Sequence, residues 1–235
     1  MKRFWTIASV AATPEGWAIQ LDGKPLRIPG GGTPLRMASE TLADAVAAEW
    51  QQAGSTLGGT LTMDDLPLTR LAGTAQDRIV PDPEPVAAAL AVYAQSDVLC
   101  YRADHPAELA ARQIAAWDPW LEWAATAYGA HLVAAEGIVH RPQDPEALAR
   151  IAAAYARLSP DVMAALGIAV PALGSAVLGL ALQAGVIDAA SAFAAAHVDE
   201  LFQAEQWGDD DAAVTRRRYV LQDLALAERY LSLVT

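Results

Sequence analysis

The sequence contains very little cysteine and very little lysine. Cys100 is the only cysteine, which excludes an internal disulfide framework and any metal site built from several cysteines. Lys2 and Lys24 are the only lysines, and residues 216–218 form the only basic tract. Acidic residues outnumber basic ones, 28 against 16, for a formal net charge of −12. This balance makes the 235-residue chain a poor candidate for binding nucleic acid or an anionic membrane surface.

Motifs that carry catalysis, bind phosphate or hold metals are also missing. Gly174-Ser175 lies outside a G-x-S-x-G nucleophile turn, and the glycine run at 30–32 lacks the G-K-[ST] of a phosphate-binding loop. The histidines are dispersed without H-E-x-x-H spacing, and no D-x-D-x-D-G calcium pattern occurs. We therefore expect no catalytic residue, no cofactor and no metal.

Two apolar segments each allow two interpretations. Residues 1–12 have a basic start and small apolar residues, as a short signal peptide does, but polar residues interrupt the apolar stretch and favour a first β-strand. This segment does not resemble a mitochondrial transit peptide. Residues 162–187 carry no charge and are long enough for a membrane span. Their Ala- and Gly-rich composition and Pro171 favour two buried helices that meet at Pro171. We expect no membrane insertion.

The first third of the chain mixes strand and helix patterns. Asp22-Gly23 is a strong signal for a two-residue hairpin turn, and Pro29-Gly30-Gly31-Gly32 closes that unit. Ser39 is placed to cap a helix, and Pro67 suits the first turn of another. Strands are predicted over residues 3–10, 16–21, 24–28 and 60–63, and helices over residues 40–52 and 67–79.

A proline-rich run over residues 81–85 is the strongest boundary, because no helix is expected to pass through it. Everything after it has helical periodicity. Asp-Pro and Ser-Pro pairs mark helix starts, and Asp118 is expected to cap a helix that begins at Pro119. The predicted fold class is α+β. A small β-rich N-terminal domain with one or two helices spans residues 1–80, and a larger all-helical domain spans residues 86–235.

Several stretches in a fixed order resemble one family, the assembly chaperones that hold the alpha subunit of F1 ATP synthase. They span nearly the whole chain, which makes the match more specific than any single motif. Gly73 departs from it, because Asn is common there. The matching stretches are residues 21–29, 48–50, 66–78 and 93–102, Gln113, Trp117-Asp118-Pro119, Asp199-Glu200 with Gln203, and Trp207-Gly208.

The resemblance implies a two-domain chaperone of the bacterial cytoplasm that is not an enzyme. It would bind the unassembled alpha subunit and prevent its aggregation until alpha pairs with beta. The residues that we expect to bind this partner are Arg70, Asp77, Arg78, Asp97, Tyr101, Arg102, Trp117, Asp118, Glu200, Gln203, Trp207, Asp210 and Asp211.

The C-terminal motif around Trp207 allows a binding and a structural interpretation. Trp207 and the nearby carboxylates Glu200, Asp210 and Asp211 would anchor the partner and complement basic groups on it. Alternatively, Trp207 belongs to the core and the aspartates cap the last helix.

Two other function classes remain open at this stage. A small-molecule enzyme would need Asp97, Arg102, Asp118 and Glu200 to converge in one pocket. A general helical adaptor would show a broad exposed surface without such a pocket.

Overall fold

The structure is a computed structural model that describes residues 1–28, 32–137 and 140–234. Residues 29–31 of the predicted Pro-Gly-Gly-Gly turn lie outside the described residues. The predicted fold class is confirmed, because a small N-terminal strand region precedes a mostly helical region.

The chain divides into two compact units. One contains Met1–Pro83 together with Ser159–Ala165 and Arg229–Thr235, and the other contains Glu84–Leu158 and Leu166–Glu228. The two added segments of the first unit lie in the region that the sequence assigns to the helical domain. The domain boundaries stay a prediction, because a domain is defined by folding on its own.

A small antiparallel sheet forms the β-rich part of the first unit. Strand β1 (Ala8–Thr13) pairs with β2 (Gly16–Leu21), and the short strands β3 (Lys24–Pro25) and β4 (Arg36–Met37) share the other side of β2. The predicted hairpin turn at Asp22-Gly23 is confirmed by positive φ angles of 49° and 77°.

The first strand begins later than the predicted residues 3–10. The backbone N–H groups of Thr6 and Ile7 donate to the Asp22 carboxylate at 3.1 and 2.8 Å, so this stretch is held by a side chain rather than by a ladder. Of the predicted strand over residues 60–63, only an isolated antiparallel bridge between Thr60 and Lys2 forms. A single helical turn forms at Met63–Asp65 instead, because the Asp65 carboxylate accepts the Thr62 N–H at 2.7 Å.

Helix α1 (Glu40–Gln52) packs its apolar face on the sheet. Ser39 caps it as predicted, accepting the Leu42 N–H at 3.2 Å. Trp50 on this helix contacts Trp5, with ring centroids 5.0 Å apart, and both side chains are almost fully buried. Helix α2 (Pro67–Thr74) continues through a wider turn over Ala75–Ile79, which agrees with the predicted helix at 67–79.

From Glu84 onward the chain is mostly helical. One short parallel pair interrupts the helices, β5 (Tyr101–Arg102) with β6 (Ala135–Glu136), which the all-helical prediction missed. The helices are α3 (Glu84–Ala91), α4 (Ala107–Tyr128), α5 (Pro145–Tyr155), α6 (Pro160–Leu173), α7 (Ala176–Gln183), α8 (Ala189–Ala196), α9 (Val198–Trp207) and α10 (Asp211–Val234).

Two prolines lie inside helices where the sequence predicted breaks. Pro119 lies within α4, so Asp118 caps no helix, and Pro171 lies within α6. A proline deprives the carbonyl four residues earlier of its donor. Ala115 and Gly167 supply those carbonyls, and both residues are exposed like the prolines themselves, so water can solvate the free oxygens. The break near Pro171 comes later, at Gly174, and Ser175 caps α7 by accepting the Leu178 N–H at 3.0 Å.

The uncharged segment 162–187 forms parts of two largely buried helices, as predicted. In the part of the chain that the structure describes, no helix combines the length and the apolar character needed to cross a bilayer.

Candidate partner-binding surface

Three of the predicted partner-binding residues lie on helix α2 and the turn after it, in the first unit. Arg70 is half exposed and forms an ion pair with Asp64 at 3.0 Å. Asp77 accepts a hydrogen bond from the Thr33 hydroxyl at 3.1 Å, and Arg78 is exposed. Arg70 and Arg78 are therefore accessible to a partner, while Asp77 is committed in part to holding a loop.

Asp97 is fully buried in the second unit and organises its backbone. Its carboxylate accepts the Leu99 N–H and the Val177 N–H, each at 3.1 Å, and so joins a tight turn to the start of α7. Burial raises the pKa of Asp97 to about 6, and hydrogen bonds from Ser175 and the backbone oppose that rise. No described cation lies within ion-pairing distance of this carboxylate, so hydrogen bonds from Ser175 and the backbone stabilise its charge.

Arg102, Trp117 and Asp118 form one cluster. Arg102 is 7% exposed; it donates to the Leu99 carbonyl at 2.7 Å and pairs with the half-exposed Asp118 carboxylate. Its guanidinium lies 4.8 Å from the centre of the Trp117 ring, and the Trp117 indole N–H donates to the Ala195 carbonyl at 2.7 Å. Trp117 is 1% exposed, so the cluster joins α4 to the Leu99 and Ala195 backbone within the buried part of the unit.

Tyr101 precedes this cluster and is half-buried. Its hydroxyl forms a hydrogen bond with Nδ1 of His140 at 2.9 Å. The hydroxyl is therefore engaged within the chain, and only part of the side chain is available to another molecule.

The C-terminal motif, in contrast, is on the surface. Trp207 ends α9 with its side chain 78% exposed, the highest exposure among the large apolar residues of the described chain. Gly208 follows with φ at 83°, a conformation that favours glycine, and lets the chain turn into α10. Gln203, one turn before Trp207, is also exposed. The interpretation of Trp207 as a core residue is therefore wrong.

The carboxylates around Trp207 differ in their partners. Glu200 pairs with Arg216 at 2.8 Å and Arg217 at 3.2 Å, and Asp209 also pairs with Arg217. Asp210 accepts the Ala213 N–H at 2.7 Å and so caps α10, which confirms the capping interpretation for that residue. Asp211 starts the helix and is exposed.

Some important contacts in this region were not predicted. Arg112 on α4 pairs with Glu205 on α9 at 2.6 Å, and Gln113 donates to Asp199 at 2.6 Å. The nearby pairing of Arg112 with Glu108 follows an i,i+4 spacing that a sequence reveals, but the contacts between the two helices carry no such signal.

Comparison with known proteins identifies the family. The model of the ATP12 chaperone protein family matches residues 2–125. The crystal structure of Atp12 from Paracoccus denitrificans is 40% identical with a TM-score of 0.94, over 100% of this chain and 98% of that one. An Asp-to-Lys mutant of P. denitrificans Atp12p is 39% identical with the same TM-score and coverage. The Atu1473 protein of Agrobacterium tumefaciens is 39% identical with a TM-score of 0.92, over 100% of this chain and 86% of that one.

The chain belongs to the ATP12 chaperone family. This finding confirms the family resemblance, and it gives the chain a role as a chaperone in ATP synthase assembly. An ATP12 chaperone acts through surface that a partner can reach. The exposed group at the α9–α10 turn meets this requirement, whereas Asp97 and Trp117 serve the interior.

The residues that an enzyme would require do not form one site in this ATP12 chaperone. Arg102 and Asp118 pair with each other, while Asp97 and Glu200 are engaged by other groups. A cavity of about 450 Å³ in the second unit is lined by none of these four residues but by Ala127, Tyr128, Arg150, Ala153, Ala154, Arg157, Leu158, Leu180 and Gln183. Within the described ranges, no group of three or more His, Cys, Asp or Glu side chains is placed to hold a metal ion.

Proposed function

We propose that this ATP12 chaperone binds the unassembled alpha subunit of F1 ATP synthase and prevents its aggregation until alpha pairs with beta. Family membership supports a role in ATP synthase assembly. The identity of the bound subunit is what we propose beyond that role. A subunit whose interfaces await their neighbours exposes large apolar patches, which are prone to aggregate. A chaperone that covers such a patch and then yields to beta would keep alpha competent for assembly.

The exposed Trp207 is the observation that carries the location of this site. A tryptophan that is 78% exposed buries little of its large apolar surface within its own chain. Its ring also finds no hydrogen-bond partner in the described chain. Tryptophan is enriched among the residues that dominate binding energy at interfaces. We propose Trp207 as the anchor, with Gln203 on the same helix beside it.

The charges near Trp207 suggest which surface of alpha it meets. Glu200 and Asp209 are already neutralised by Arg216 and Arg217. The carboxylates of Asp210 and Asp211 have no ion-pair partner among the described residues. Such charges act mainly on association rate and specificity, so we propose that they face basic groups of the client.

Under this proposal the ATP12 chaperone works in the bacterial cytoplasm without a cofactor and without a catalytic step. Arg70 and Arg78 of the first unit are also exposed, and we include them among the proposed contact residues. Tyr101, Arg102 and Asp118 would contribute only through their exposed edges.

Light scattering of the alpha subunit tests the proposal. We expect an equimolar amount of this chaperone to suppress the scattering of alpha that is diluted from denaturant. Addition of folded beta should then release the chaperone, as seen by size-exclusion chromatography. Serum albumin at the same concentration is the control. Scattering equal to that of the albumin control would contradict the proposed client.

A further inference from the structure

Strand β1 has a side that no other described strand occupies. β2 lies between β1 on one side and the two short strands β3 and β4 on the other. β1 is therefore an edge strand, and backbone groups on its outer side need partners from elsewhere.

The hydrogen-bond pattern shows which residues of β1 face outward. The Asp22 N–H donates to the Ile7 carbonyl at 2.9 Å, so Ile7 faces β2. Bonding alternates along an antiparallel pair, and Ser9, Ala11 and Thr13 therefore face β2 as well. Val10 and Ala12 direct their backbone N–H and C=O groups to the open side.

The strand opposite β1 supports this assignment. Ile19 lies opposite Val10 in the register. Its carbonyl accepts the Leu26 N–H at 2.7 Å, on the side of β2 away from β1. The pair of Val10 and Ile19 is thus one of the pairs without mutual hydrogen bonds.

The beginning of the open side is already filled by a side-chain amide. Gln51 donates from Nε2 to the Thr6 carbonyl at 3.1 Å, and its Oε1 accepts the Ala8 N–H at 2.7 Å. This amide makes the contacts that a peptide group of a neighbouring strand would make. After Ala8 its reach ends, and the N–H and C=O groups of Val10 and Ala12 have no partner in the described chain.

The side chains of β1 do nothing to protect this edge. Natural proteins block open edges with charged residues, proline, bulges or a covering element. The strand reads Ala-Ser-Val-Ala-Ala-Thr, with no charge and no proline, and Ala12 is exposed. The strand thus has an unprotected edge with two free backbone N–H donors, those of Val10 and Ala12.

We infer that the outer edge of β1 at Val10 and Ala12 is a docking edge on which an extended segment of the client adds a strand. The inference rests on the proposed function and names a second mode of contact for the same client. Strand addition supplies main-chain hydrogen bonds, while small side chains on the edge accept many client sequences. The occupant is an extended, weakly charged segment with free N–H and C=O groups, of the kind that an unassembled subunit exposes.

A second copy of this chain fits the edge less well than the client does. Pairing over Val10 and Ala12 alone would bury far less than the roughly 1,200 Å² that a stable interface needs. A client that also contacts the exposed Arg70 and Arg78 of the same unit does not depend on this edge for all of its affinity.

Amide hydrogen exchange of the full chain, free and with the alpha subunit, tests the inference. We expect the amides of Val10 and Ala12 to exchange rapidly in the free chain and about tenfold or more slowly in the complex. The amides of Ser9 and Ala11, which already face β2, are the internal controls. Fast exchange at Val10 and Ala12 in a complex that does form would overturn the docking edge and leave the proposed function standing. Failure of the complex to form would overturn both.

Two substitutions at one exposed position provide the second readout. Ala12→Pro removes an N–H that the sheet does not use, and Ala12→Val keeps that N–H in a strand-forming residue. We expect Ala12→Pro to weaken alpha binding at least about fivefold and Ala12→Val to leave it unchanged. Equal affinities for the two variants would overturn the inference. Protection of the Val10 and Ala12 amides that rises with the concentration of the free chain would also overturn it, because a second copy of the chain would then occupy the edge.

Discussion

Two tryptophans of the second unit show how differently motif residues of one chain can act. Trp117 is 1% exposed; it donates to the Ala195 carbonyl and carries the Arg102 guanidinium on its ring face. Trp207 is 78% exposed at the end of α9 and contacts little of its own chain. Both belong to stretches that resemble the same family. Burial separates a residue that holds the fold from one that is free to meet a partner.

The same division applies to the acidic residues. Asp97 is inside and receives backbone N–H groups, whereas Asp211 is on the surface without an ion-pair partner in the described chain. Substitution should therefore cost stability in the interior and binding at the surface.

The largest expected effect comes from the buried tryptophan. Trp117→Ala should lower the free energy of unfolding by about 3–5 kcal/mol, because it leaves a cavity and removes the N–H that donates to the Ala195 carbonyl. Trp207→Ala, the matched exposed substitution, should change it by less than about 0.5 kcal/mol. Urea denaturation followed by circular dichroism measures both. Equal losses of stability would contradict the division.

The second effect is a pH dependence that comes from Asp97. Its pKa is raised from 3.8 to about 6 by burial, so the folded chain holds this proton more tightly than the unfolded chain. The resulting stabilisation is complete below the unfolded pKa and is lost as the pH rises through the folded pKa. Between about pH 4 and about pH 7, wild type should lose about 2 kcal/mol of unfolding free energy relative to Asp97→Asn. Parallel pH profiles of the two proteins would show that Asp97 titrates normally.

Local signals in the sequence were enough to predict much of the fold. The Asp22-Gly23 hairpin, the Ser39 cap and the helix that starts at Pro67 each depend on backbone chemistry within a few residues. The breaks at Pro119 and Pro171 were predicted wrongly for a tertiary reason. A proline is tolerated when its helix face is exposed, and exposure is not a local property.

The candidate site was harder to predict for the same reason. Motif spacing identified Trp117 and Trp207 equally well, but only the packed structure shows that one is buried. The pairing of Glu200 with Arg217 joins two helices, and nothing in the spacing of these residues predicts it. The open edge of β1 depends on strand order, which no short segment encodes.

The third effect concerns the cap of the last helix. Asp210→Ala should cost about 1 kcal/mol of unfolding free energy, because the Ala213 N–H loses its acceptor. Asp211→Ala serves as the matched neighbour and should cost less, since Asp211 contributes mainly through the helix dipole. Thermal denaturation of the two variants measures the difference. If the order were reversed, Asp210 would not be the functional cap. Asp211→Lys is therefore a cleaner charge reversal for binding studies than a change that includes Asp210.

The smallest effect is expected at an exposed ion pair. Arg216 pairs with Glu200 at 2.8 Å, but its side chain is 64% exposed. Arg216→Ala should therefore change the free energy of unfolding by less than about 0.5 kcal/mol. The comparison is Arg217→Ala, because Arg217 is largely buried and pairs with two carboxylates. We expect Arg217→Ala to lower the free energy of unfolding more than Arg216→Ala does, as measured by urea denaturation. A greater loss of unfolding free energy in Arg216→Ala would contradict this order.

The affinity of the F1 alpha subunit for three proteins tests the central claim most directly: wild type, Trp207→Ala and Val186→Ala. Val186 is another exposed apolar residue of the second unit, at 50%, and serves as the control for loss of apolar surface. We expect Trp207→Ala to raise the dissociation constant about tenfold or more, with an unchanged unfolding midpoint, since truncating an interface anchor costs about 2 kcal/mol. Val186→Ala should bind as wild type does. Wild-type affinity in Trp207→Ala would contradict the claim that the exposed α9–α10 turn holds the client.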